Sequence, residues 1–185
     1  MIRLFVAIDI PTGIRQRLIA DKPEIDGLRW QSEERLHLTL KFLGNVNIYM
    51  FSQLKQQLKT VPVVPFGLQV SGAGVFRKPD GKGVLWAGVN HSDALSQLHR
   101  EIEHLTTAMG VAPGSSFDVY TPHITLARWK SGVNLSAVNN WVVEHRSTDF
   151  GAFEAASFKL YSSRSSPSGA VYTPMAEYSA IESLA

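Results

Sequence analysis

Cysteine is absent from the 185 residues, which excludes thiol catalysis, cysteine-ligated zinc and disulfide scaffolds. Charge is scarce: 18% of the residues are charged and the net charge is +2. That is too little for a protein that coats nucleic acid through long-range electrostatics, although it suits a small anionic ligand or a few nucleotides. Long apolar runs are missing as well. The opening MIRLFVAIDI carries Arg3 and meets Asp9 and Pro11 before it can form a signal-peptide core, and no later run approaches the ~18 residues of a membrane span. A cytoplasmic protein with no membrane partner is therefore expected. No Pro-, Gly- or Ser-rich stretch is long enough for a free linker, so residues 1–185 are expected to form one compact domain. At this length folding buries roughly 70% of the unfolded surface, and no staple is needed.

Hydrophobic period predicts strands at 3–8, 28–30, 36–43, 66–76, 83–89, 123–128, 155–162 and 170–178. It predicts helices at 12–21, 49–60, 93–110 and 135–145, with Ser92 or Asp93 as a cap for the third. Gly44-Asn45 is expected to close the third strand, residues 78–82 to turn a hairpin, and 111–116 and 162–169 to be loops. Strands and helices intersperse without the steady alternation of a doubly wound sheet, which predicts an α+β fold.

One pattern occurs twice: His37-Leu38-Thr39-Leu40 and His123-Ile124-Thr125-Leu126. A single histidine on a half-buried strand is usually structural; repetition with threonine at the same offset points to chemistry. Alternate side chains of a strand share a face, so each copy offers one imidazole and one hydroxyl while its leucine or isoleucine neighbours turn to a core. Two such strands from similar halves would bring two His and two Thr to one cleft. Imidazole titrates near neutrality, so one ring is expected neutral as a base and the other protonated as an acid, with the hydroxyls on phosphate oxygens. That set fits in-line attack on phosphorus and requires no metal. Neither copy has a second histidine, and Glu33, Glu34 and Asp118 lack ligand spacing, so no metal site or cofactor is expected.

Other residues carry less. Phe76, before the 77–82 turn, is a candidate to stack on a nucleobase or to pack in the core. Trp30, Trp86 and Trp129 are equally ambiguous, with Trp86 expected between sheet and helix. His91, His99, His104 and His145 lack the threonine partner and are read as non-catalytic. Period 2 puts Lys41 on the His37 face, with a surface role favoured, and puts Arg128 opposite His123, so that only a strand end or a bulge would re-aim Arg128 toward the site.

These residues resemble the 2H phosphoesterase superfamily, and within it the RNA 2′,3′-cyclic phosphodiesterases also called 2′-5′ RNA ligases. The resemblance spans nearly the whole chain: RLFVAIDIP, RWQSEERLHLTLKFLG, GVFRKPDGKGVLWAGV, YTPHITLAR and SRSSPSGAVYTPMAEY. It implies a bilobal α+β fold, with outer helices and one His-x-Thr pair per lobe around a central cleft. It further implies hydrolysis of RNA 2′,3′-cyclic phosphate ends to 2′-phosphomonoesters without metal or cofactor, and reversible ATP-independent 2′-5′ joining. The partners implied are RNA ends or short oligonucleotides, with no obligate protein partner. Carried over by position, His37 is the proton donor and His123 the acceptor, Thr39 and Thr125 hold phosphate oxygens, and Arg128 lies near the phosphate. The alternative is a module that binds a nucleotide or RNA end with the same double motif and does not turn it over.

Overall fold

A computed structural model of the chain describes residues 1–111, 120–167 and 169–180. Its helices start where the sequence provides a cap or a fixed φ. Asn47 accepts a hydrogen bond from the Met50 amide at 2.8 Å, Ser92 from Leu95 at 3.2 Å and Asn134 from Ala137 at 3.2 Å. These satisfy amides with no intrahelical acceptor at the starts of α2 (Ile48–Gln57), α3 (Asp93–Ala108) and α4 (Leu135–His145). Pro11 precedes α1 (Thr12–Ala20). Each helix buries an apolar stripe, exemplified by Leu95, Leu98 and Ile102 of α3. Among the described residues no helix is long and apolar enough to cross a membrane.

The strands are β1 (Ile2–Asp9), β2 (Leu28–Trp30), β3 (His37–Val46), β4 (Phe66–Arg77), β5 (Gly83–Val89), β6 (His123–Trp129), β7 (Asp149–Ala155), β8 (Ser157–Ser166) and β9 (Gly169–Ser179). All pairings are antiparallel. They form one open sheet in the order β7-β4-β5-β6-β3-β1-β8-β9, with β2 beside β6, so the fold is α+β as the pattern of elements predicts. Alternation puts Leu4, Val6 and Ile8 of β1, Leu38 of β3, Leu85 of β5 and Ile124 of β6 into one apolar cluster with Leu18, Leu54, Ile102 and Val138 of the helices. The other face carries the polar members of the motif strands. The two halves of the sheet, β7-β4-β5-β6 and β3-β1-β8-β9, meet at a single registered pair, Leu38 with Ile124. The sheet is thus least continuous where the two motifs touch.

Three expectations are corrected. β3 runs past Gly44-Asn45 to Val46, because Gly44 takes a φ of 71° at an irregularity in the β1 pairing and the ladder resumes beyond it. The segment 162–169 is mostly strand: β8 and β9 continue as a long hairpin that pairs Ser166 with Gly169. β7 was not expected, since DFGAFEA has little β propensity; its pairing with β4 from Phe66 to Ser71 makes it a strand. The loop expected at 111–116 lies, from residue 112 on, outside the described residues.

Candidate active site

In both motif strands the alternation holds across the tetrapeptide. Leu38, Leu40, Ile124 and Leu126 are at most 2% exposed, whereas His37, Thr39, His123 and Thr125 are half-buried on the opposite face. Extending the Leu38–Ile124 pair by one residue each way sets His37 against Thr125 and Thr39 against His123. The rings are held alike: Nδ1 of His37 donates to the Arg35 carbonyl and Nδ1 of His123 to the Thr121 carbonyl, both at 2.7 Å. A carbonyl only accepts, so Nδ1 carries the hydrogen and Nε2 of each neutral ring is the free, basic nitrogen.

The repeat extends to a defect that the sequence does not display. Against β5, Leu85 pairs with Ala127 and Trp86 with Thr125, which leaves Leu126 without a partner of its own. Against β1, Val6 pairs with Lys41 and Ala7 with Thr39, which leaves Leu40 likewise. A β-bulge therefore sits on the fourth residue of each motif and advances the alternation by one. Arg128 is brought onto the histidine face, the re-aiming that only a strand end or a bulge could supply. Lys41 is turned off that face, contrary to expectation: it is 8% exposed, with Nζ 2.5 Å from a Glu103 carboxylate oxygen of α3. Phe42, 60% exposed, occupies in the first copy the place of Arg128 in the second.

Burial is the largest influence on both imidazoles and holds each below its ordinary value of 6.5; the Arg128 guanidinium pushes both further down, while the carbonyl hydrogen bonds oppose. Burial thus favours the neutral form of both rings in the ligand-free protein. Among the described residues the two sites differ in one charge. Asp9 stands directly opposite His37 in the β1–β3 register and raises its proton affinity, and no described carboxylate does so for His123. Asp9 is held by Lys159 Nζ at 2.6 Å and by the Tyr161 hydroxyl.

Aromatic rings line both sides. His37 packs at 4.9 Å from Phe5 and 5.2 Å from Tyr172, and Phe76 meets His123 edge-on at 4.9 Å, so Phe76 is at the site rather than in the core. Trp86 belongs to the same face, 6.4 Å from His123, and not between sheet and helix as expected. It lies across Gly74, where any Cβ would strike the indole. Trp30 and Trp129 turn to the core side. His91 pairs with Asp93, His99 stacks on Tyr120, His145 stacks on Trp141, and His104 is exposed on α3. Sequence reading missed Asp9, Tyr161, Tyr172 and Phe42. Asp9 carried a usable signal, since it is the polar end of an alternating face with Phe5 and Ala7, but only pairing with β3 aims that face at His37. Among the described residues no three His, Asp or Glu side chains gather as a metal site. A shallow groove lined by Val63, Phe66, Leu98 and Glu101 contains none of the motif residues.

The family model described as LigT like phosphoesterase matches residues 8–86 and 88–172. An RNA 2′,3′-cyclic phosphodiesterase of Methanocaldococcus jannaschii is 30% identical over 179 residues, covering 95% of this chain and 99% of the relative. Its counterpart from Thermotoga maritima is 32% identical over 183 residues, covering 95% and 94%. The crystal structure of E. coli LigT complexed with 3′-AMP superposes with a TM-score of 0.81 at 26% identity, covering 98% and 99% of the two chains.

Proposed function

This chain belongs to the LigT-like phosphoesterase family, and from that premise we propose that it is an enzyme that opens 2′,3′-cyclic phosphates at RNA ends to 2′-phosphomonoesters by two-histidine acid–base catalysis. The observation that carries the reading is the shared face: two imidazoles, each with Nε2 free, and two hydroxyls flank one junction, with Arg128 brought alongside by a bulge. Relatives named RNA 2′,3′-cyclic phosphodiesterase support the substrate class.

In the reaction, His123 Nε2 takes a proton from the attacking water as its oxygen bonds to phosphorus. The bond from phosphorus to O3′ breaks, and protonated His37 delivers its proton to O3′. Thr39, Thr125 and Arg128 hold the non-bridging oxygens as charge develops, and Phe76 offers a face or edge to the base. Asp9 supports the direction of transfer, because a carboxylate opposite His37 favours imidazolium there. The bound phosphate supplies the remaining attraction that restores one proton to a pair neutral without it. A ribose 5′-hydroxyl in place of water would join ends through a 2′-5′ linkage by the same steps.

The test is incubation with a nucleoside 2′,3′-cyclic phosphate in excess EDTA, with the product isomer identified. Turnover to the 2′-phosphate is expected. Saturable binding without product would make the protein a binding module, and activity restored only by a divalent ion would replace the two-histidine mechanism with a metal-hydroxide one.

A further inference from the structure

β2 is three residues long and pairs with β6 alone: Leu28 with Trp129, Arg29 with Arg128 and Trp30 with Ala127. Leu28 and Trp30 pack on the core, with the Trp30 indole N–H donating to the Pro23 carbonyl at 3.1 Å and its ring edge-on to Trp141 at 5.5 Å. Alternation therefore places the exposed Arg29 on the opposite, histidine-bearing face, directly across from exposed Arg128. Like charges directly opposite on paired strands destabilise a sheet. Among the described residues neither guanidinium has a carboxylate partner to offset the repulsion. The arrangement is explained by an anion that completes it.

The charge of the reacting group limits what that anion is. A 2′,3′-cyclic phosphate is a monoanion, and protonated His37 with Arg128 already exceeds its charge. Arg29 adds a further cation beside them. A polynucleotide supplies a second monoanion one nucleotide away, whereas an isolated nucleoside cyclic phosphate has none.

We infer that Arg29 and Arg128 form a two-phosphate cradle, Arg128 for the reacting phosphate and Arg29 for the phosphodiester one nucleotide upstream, so that the site selects the end of an RNA chain over a lone nucleotide. The inference rests on the proposed function and names its substrate class more narrowly.

It is tested by titrating the protein with a nucleoside 2′-monophosphate and with the corresponding 2′,5′-bisphosphate, whose 5′ group stands in for the upstream phosphodiester. The wild type is expected to bind the bisphosphate about tenfold more tightly, the worth of one charge-assisted contact, and with a steeper salt dependence. In Arg29→Gln that ratio falls toward one, and Arg29→Lys retains most of it. Arg128→Gln weakens both ligands and leaves the ratio. An undiminished ratio in Arg29→Gln, or equal weakening of both ligands, overturns the inference. A parallel turnover assay compares a dinucleotide ending in a cyclic phosphate with the nucleoside cyclic phosphate. If neither is hydrolysed, the proposed function fails, while the binding ratio still reads Arg29. Thermal unfolding controls for folding, and relief of the Arg29–Arg128 repulsion keeps the Gln variant at least as stable as the wild type.

Discussion

Replacing either motif histidine with alanine is expected to remove most turnover of a cyclic phosphate, by about 10²–10⁴-fold, because in the proposed mechanism each holds or moves a proton in the same step. The double variant should be little worse than either single one, and thermal unfolding should stay close to wild type, since both rings lie off the core face. Retention of near-full activity by one single variant refutes the two-histidine assignment. Thr39→Val and Thr125→Val keep shape and lose one hydroxyl each, an expected cost of about 1–3 kcal/mol in the transition state, read from kcat/KM. The titration behaviour follows from burial. Both imidazoles are held below 6.5 in the free protein, so the singly protonated pair is most populated on the acid side, and kcat/KM should form a bell whose alkaline limb falls below that value. Bound phosphate favours protonation, so the alkaline limb of kcat should lie higher. Asp9→Asn removes a carboxylate that favours imidazolium at His37, and should shift the alkaline limb of kcat/KM further down. A limb that does not move would show that Asp9 does not bear on the acid.

The bulged strand is the element that decides which side chains reach the histidine face. Its companion on the core side is the Lys41–Glu103 pair, in which the lysine is nearly sealed and the carboxylate about a quarter exposed. Glu103→Gln leaves a buried cation with a weaker partner and should lower unfolding free energy by about 2 kcal/mol, less than for a fully buried pair because Glu103 reaches solvent. Lys41→Met, similar in length and apolar, should be neutral or stabilising. Urea denaturation of the two variants distinguishes this asymmetry from a simple loss of attraction, which would penalise both alike. On the histidine face, Gly74→Ala would force the Trp86 indole off the strand and is expected to disturb the neighbouring Phe76 and His123 rings, with a loss of kcat/KM larger than the loss of stability. That half of the site was legible only in part. Phe76 could be proposed from its place before a turn, but Trp86 within VLWAGV reads as core until β4 is seen to present a glycine beneath it.

At the scale of the whole molecule, the two halves of the sheet share one registered pair, and the charge chemistry is concentrated beside it. The linkage has a definite sign. The folded protein binds protons at His37 and His123 less readily than the unfolded chain, so their contribution to stability is fully present above 6.5 and is lost as pH falls through that value toward the lowered folded values. A phosphate ligand, which favours the protonated form, should protect more strongly as pH falls. Chemical denaturation at pH 5 and pH 8, with and without a nucleoside 2′-monophosphate, checks both statements. Equal stability at the two pH values without ligand would contradict the depressed proton affinities.

Local order along the chain was sufficient for the repeated tetrapeptide, for the face that each of its residues takes over four positions, and for the cap of the third helix. Those properties depend on residue type and on the period of a strand or helix, which a sequence carries in full. The fate of residues just beyond the motifs was not local. Lys41 and Arg128 sit at different points past the same kind of bulge, and a bulge exists only as a mismatch between two strands: Leu40 against Val6 and Ala7, and Leu126 against Leu85 and Trp86. The facing of Asp9 onto His37, of Arg29 onto Arg128, and the existence of β7 likewise depend on partners from 28 to about 100 residues away in the chain. Strand pairing, set by how the two halves bury their common apolar face, decided which charges meet.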